Sequence, residues 1–125
     1  VHHLCIATCH VHLAEEENME EPVYMLNALW FKKDGGEERY LEYGAAAVPI
    51  LKETGAEVQE NFRPEESIIG EWDPDVFFMV KYPSKAAFKA MVSSPAYQQI
   101  VHLREESIEK SLLIRCKPAD WNLST

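Results

Sequence analysis

The sequence predicts a four-stranded antiparallel sheet with two helices on one face, the ferredoxin-like βαββαβ arrangement. Three observations predict it. Four β-favouring stretches alternate with helical ones in the order β-α-β-β-α-β. The length, 125 residues, suits one domain with its own core. Right-handed crossovers place strands one and three in the centre of such a sheet, and those two strands are the most apolar in the chain.

Strand one is VYMLNALWFK, Val23 to Lys32, entered through Pro22 and left by the turn Lys33-Asp34-Gly35-Gly36. A helix follows from Glu37 to Thr54, with Gly55 as its stop. At about 100° per residue, Tyr40, Tyr43, Gly44, Ala47 and Leu51 fall on one stripe. Pro49 should kink this helix, because it has no N–H for the carbonyl of Ala45. Strand two, Ala56 to Arg63, is polar enough for a sheet edge. The turn Asp73-Pro74-Asp75 opens strand three, Val76 to Tyr82. Ser84 caps a short helix through Val92. Ser94-Pro95 starts a second helical piece reaching about Lys110, and Leu112 to Cys116 form the last strand.

Strand one is apolar on both sides, and strand three repeats the pattern with Phe77 and Met79 opposite Val76, Phe78 and Val80. An antiparallel sheet with one wet face alternates cleanly instead. Two helices cover one face, and each large apolar side chain left in water forfeits roughly 1.5–3 kcal/mol. A homodimer joined sheet to sheet is therefore expected.

The net charge of -9 disfavours nucleic acid and anionic membranes, and no apolar run reaches the ~20 residues of a membrane span. Cys5, Cys9 and Cys116 are an odd number without a CxxC. With no secretory leader in the opening Val1-His2-His3-Leu4, reduced thiols and a cytoplasmic protein are expected. Residues 1–21 read as an appendage and acidic linker, 22–118 as the domain, and 119–125 as a tail. Cys5, Cys9 and His12 would share a helical face in that appendage, but structural zinc sites rarely draw ligands this way, so no metal is assigned.

Within the domain, PVYMLNALWF (22–31), ETGAEV (53–58), GEW-DPDVFFMVKYPS (70–84) and SSPAYQ...HLREESI (93–108) carry a family resemblance. Together they resemble a small family of unknown function in the dimeric α/β-barrel superfamily, similar in fold to antibiotic-biosynthesis monooxygenases. The resemblance implies a ferredoxin-like protomer in a face-to-face dimer. It implies no activity, because function does not travel with the fold.

Arg104 interrupts the apolar stripe of the last helix, formed by Tyr97, Ile100, Val101 and Ile108. A guanidinium keeps its charge and is costly to bury alone. It meets either a protein partner, as a salt bridge or a snorkelling side chain, or an anionic ligand. Asn27 interrupts the apolar face of strand one, either as a satisfied core amide or facing a cavity. Its place on the first strand is similar to that of an asparagine used by some cofactor-independent oxygenases of the superfamily. Gly44 and Ala47 lack bulk between two tyrosines, which predicts a pocket lined by Asn27, Tyr40, Tyr43, Tyr97 and Arg104. Trp72 is a candidate wall or lid. Haem-degrading relatives pair an asparagine and a tryptophan with a histidine, but His102 lies about 140° from Tyr97 and faces solvent. Nucleotide, zinc-protease and serine-hydrolase motifs are missing from the sequence.

The expected function is that of an enzyme without metal or bound cofactor, of oxygenase or isomerase type. Its substrate would be a small acidic or phenolic metabolite. Arg104 would hold an anion, Asn27 would position substrate or oxygen, and Tyr40 or Tyr43 would relay a proton. The alternative is a dimeric module that binds a small ligand or serves assembly without catalysis. The two are discriminated by whether the pocket is open and polar at Asn27 and Arg104: full pairing of Arg104 with a protein carboxylate and no remaining cavity would remove the enzyme reading.

Overall fold

The chain's most apolar stretch becomes the middle of the sheet. In a computed structural model, which describes residues 21–123, the elements run β1 (Val23–Phe31), α1 (Gly36–Glu53), β2 (Glu57–Val58), β3 (Val76–Tyr82), α2 (Lys85–Ser93), α3 (Pro95–Ser107) and β4 (Ile108–Cys116). The sheet order is β2-β3-β1-β4, antiparallel throughout. Strands one and three are central, as the crossover rule requires. The Cys5, Cys9 and His12 cluster lies outside the described residues.

Serine side chains set the helix starts. The Ser84 hydroxyl accepts from the Ala87 N–H at 3.0 Å, and the Ser94 hydroxyl accepts from Tyr97 N–H at 3.2 Å with Pro95 in the first turn. The second crossover is thus two helices meeting at Ser94, as the two serine caps predict, which makes three helices over the sheet. Helix α1 runs through Pro49 to Glu53, and Gly55 ends it with a φ of 83°. That left-handed conformation suits glycine and lets the N–H groups of Gly55 and Ala56 return to Lys52 and Leu51.

Two boundaries differ from the sequence reading. Helix α3 stops at Ser107, not Lys110, and β4 begins at once with Ile108. Ser107 is 0% exposed. Its hydroxyl donates to the Arg104 carbonyl at 2.8 Å, while its own carbonyl accepts from Lys32 N–H at 3.0 Å. The segment Ile108–Lys110 has helical periodicity, but its backbone is claimed by β1 instead. Strand two shrinks to Glu57–Val58, followed by a single bridge from Phe62 to Phe77. With no apolar alternation to hold it down, residues 59–75 form an irregular arm along the sheet edge.

Alternation divides β1 between two environments. Val23, Met25, Asn27 and Leu29 face the helices and join Tyr43, Ala47, Met91 and Tyr97 in the core region. Tyr24, Leu26, Ala28 and Trp30 face the opposite side. Cross-strand pairing brings Phe77, Met79 and Lys81 of β3, and Leu112, Ile114 and Cys116 of β4, onto that outer side. Lys110 covers Trp30 at 4.6 Å and Lys81 covers Tyr24 at 5.7 Å. Those two lysines screen the margins. Between them Leu26, Phe77 and Met79 are only half-buried, and Ile114 is exposed.

Candidate functional site

Where α1, α2 and α3 lie over the sheet, they do not fill the space beneath them. A cavity of about 570 Å³ remains, with mostly apolar walls. The cause is local. Gly44 has nothing within 4 Å of where a Cβ would stand, and Ala47 contributes a single methyl. Asn27 from β1, Tyr40 and Tyr43 from α1, and Tyr97 and Arg104 from α3 all border this one space. The sequence proposed these five together, and the fold brings them together.

Trp72 is placed elsewhere. Trp30 Nε1 donates to Asp73 Oδ1 at 3.1 Å and the Phe31 N–H donates to Asp75 Oδ2 at 2.7 Å. These bonds fix the end of the arm against β1. Trp72 then rests on Phe77, ring centroids 5.2 Å apart, on the outer face of the sheet. It is not a wall of the cavity, because its neighbour Phe77 points away from the helices. His102 is exposed, as its position on the helix predicts.

Of the cavity residues not named from the sequence, three bear most on its chemistry. Tyr82 lies on the helix-facing side of β3 with Phe78 and Val80, so strand alternation could have found it. Glu37 and Arg63 line the mouth and form an ion pair at 2.6 Å. They come from α1 and the arm, 26 positions apart, and no periodicity links them.

The phenols form a connected set. Tyr40 packs against Tyr43 at 5.3 Å, and Tyr43 meets Tyr97 edge-on at 6.2 Å with their hydroxyl oxygens 2.9 Å apart. One hydroxyl donates within this pair, so the other keeps a proton free to donate elsewhere. Burial pushes Tyr40 up to about 12, opposed by the positive charge of Arg104. Burial, followed by the hydrogen bond with Tyr97, pushes Tyr43 higher still. Burial raises Tyr82 too. Arg104 acts on all three in the stabilising direction for a phenolate, which puts its charge among them. At neutral pH these tyrosines are hydrogen-bond donors, not bases.

Arg104 is half-buried and forms no ion pair among the described residues. Of the nearby acids, Glu106 pairs with Arg39 at 2.9 Å and Glu37 with Arg63, while Glu105 is exposed and forms no ion pair with it among the described residues. Asn27 is 9% exposed, and its Nδ2 donates to the Met25 carbonyl at 3.2 Å. Its carboxamide oxygen has no protein donor among the described residues, and no polar side-chain atom there is both sealed and unpartnered. The oxygen therefore opens on the cavity.

Comparison with known proteins places this arrangement among relatives. Residues 22–115 match the model of a family described as a domain of unknown function, DUF1330. A crystal structure of a protein of unknown function from Rhodopseudomonas palustris is 31% identical, with a TM-score of 0.74, across 89% of this chain and 93% of that one. A putative antibiotic biosynthesis monooxygenase from Bacteroides thetaiotaomicron is 17% identical, with a TM-score of 0.61, over 86% of this chain and 98% of its own. A dimeric ferredoxin-like protein of unknown function from Jannaschia is also 17% identical, with a TM-score of 0.61, over 78% and 99%. The last two share the fold. No curated protein matches the sequence.

Proposed function

The chain belongs to the DUF1330 family, and from that footing we propose that its helix–sheet cavity binds a small acidic or phenolic molecule as the anion and acts on it without metal or bound cofactor. The observation that carries this reading is Arg104, without an ion-pair partner among the described residues, beside three protonated phenols. A guanidinium in an apolar enclosure lacks a counter-charge, and a carboxylate, phenolate or enolate supplies one. Arg104 holds the anion, Tyr40 and the Tyr43–Tyr97 pair donate to its oxygens, and Asn27 orients the molecule or dioxygen against it. Stabilising charge on an enolate or phenolate is the task such fixed donors perform best. Oxygenation or isomerisation of an activated carbon fits that task, and the monooxygenase-named relative with the same fold supports the former.

A second reading, binding without catalysis, has its own support. The phenols hold their protons, Glu37 is tied to Arg63, and Glu105 is exposed at the rim, so no free carboxylate stands inside the cavity among the described residues. Oxygen-electrode and NMR assays on an activated phenol or 1,3-diketone separate the two. Turnover that falls at least tenfold in Arg104→Gln supports the enzyme. Saturable binding with no change in the ligand supports the module.

We also propose that the protein is a homodimer joined through the outer sheet face. The half-buried patch around Leu26, Phe77, Met79 and Ile114 supports it, as does the dimeric description of the Jannaschia protein. Sedimentation of a folded monomer at micromolar concentration would overturn this assembly.

A further inference from the structure

We propose that the cavity selects apolar monocarboxylates, and that Glu37 enforces the single charge by neutralising Arg63 at the mouth. The inference rests on the anion-binding reading above and narrows it.

Two arginines border the cavity, Arg104 within and Arg63 on the arm. They stand at the same end. Glu37, the partner of Arg63, is one turn before Tyr40 on α1, about 4.5 Å along the axis. Tyr40 in turn feels the charge of Arg104. Two free guanidiniums there would favour a dianion. Of the two, only Arg104 lacks a carboxylate among the described residues, because Glu37 meets Arg63 at 2.6 Å. The remaining charged group on the lining, Glu105, is exposed at the rim and repels a second negative charge.

The form of the anion follows from the donors. A carboxylate arrives ionised at neutral pH, and its two oxygens match the planar fork of an arginine. A phenol must first lose a proton at a cost the cavity's own tyrosines illustrate. The walls are aromatic and aliphatic, and a cavity of about 150 Å³ already takes one benzene ring, so 570 Å³ admits a body of two fused rings.

Calorimetric titration with 2-naphthoate, naphthalene-2,3-dicarboxylate, whose two charges leave one end of the ring, and neutral 2-naphthamide tests this on the full chain. The wild type should take 2-naphthoate, take the dicarboxylate at least fivefold more weakly, and ignore the amide. Glu37→Gln frees Arg63 and should tighten the dicarboxylate by roughly fivefold more than it tightens 2-naphthoate. Arg104→Gln should abolish uptake of both. Absence of 2-naphthoate binding, or binding indifferent to Arg104→Gln, overturns the cavity reading and the proposal with it. Binding that needs Arg104 but ranks the two acids alike in wild type and Glu37→Gln overturns charge selection alone.

Discussion

The hydroxyl oxygens of Tyr43 and Tyr97 lie 2.9 Å apart, bridging α1 and α3 across the top of the cavity. Each satisfies the other in a place where water is scarce. Removing one hydroxyl strands its partner, at a cost of about 1–2 kcal/mol. Tyr43→Phe and Tyr97→Phe should each lower stability by that amount in urea unfolding. The double variant should lose less than their sum, because neither ring then has an orphaned group. Strict additivity would show that the two hydroxyls do not interact.

Tyr40, Tyr43 and Tyr82 all ionise later in the folded chain than in the unfolded one. Below pH 10 both states hold these protons and stability is at its full value. As pH rises from 10 to about 12, the unfolded chain releases them while the folded chain does not, so stability falls. The slope is up to about 1.4 kcal/mol per pH unit for each group. Unfolding midpoints measured from pH 9 to 11.5 should fall, and Tyr40→Phe should flatten the decline by up to one proton's worth.

Two glycines of α1 should respond oppositely to alanine. A Cβ on Gly36 would stand 2.6 Å from the Ser107 carbonyl oxygen and 3.1 Å from Phe31 Cβ, both parts of the frame where β1, α1 and β4 meet. Gly36→Ala should cost about 1–3 kcal/mol. Gly44 has open space before it, so Gly44→Ala should gain about 0.5–1 kcal/mol from helix propensity. Gly44→Leu should fill the cavity and weaken ligand uptake without unfolding the domain. Thermal melts alongside titration check both.

Leu26 sits on the outer face between Met79 and Ile114 in the cross-strand register. In a dimer joined through this face a charge there would be buried without a partner. Leu26→Glu should yield a folded monomer by sedimentation velocity with unchanged far-UV dichroism. A dimer that persists in this variant would move the interface away from the sheet.

Most of the architecture could be read from the sequence because local chemistry states it. Ser84, Ser94-Pro95 and Gly55 each act within a few residues of themselves, so they mark the helix ends correctly. The apolar density of VYMLNALWF and VFFMV gave the central strands for the same reason. Asn27 and Arg104 stood out because each breaks an apolar pattern, a signal that needs no tertiary knowledge. The α3–β4 boundary was hidden because Ile108–Lys110 suit either state and backbone pairing with β1 decides. Trp72 was misplaced because its side of the sheet is set by hydrogen bonds from Trp30 and Phe31 to Asp73 and Asp75, more than 40 positions away. The Glu37–Arg63 pair was invisible for the same cause: it exists only once the arm has crossed α1.

Asn27 and Ala28 are neighbours in the chain yet belong to opposite sides of a single layer of backbone. The nine residues of β1 thus serve two masters, and a slip of one position would exchange their duties wholesale. A substitution at Asn27 changes only the cavity side and one at Leu26 only the outer side, whereas an insertion or deletion within that segment would disturb both. The middle of the arm, between the Phe62–Phe77 bridge and the hydrogen bonds at Asp73 and Asp75, is held more loosely, and it is there that this scaffold has latitude to acquire new specificities.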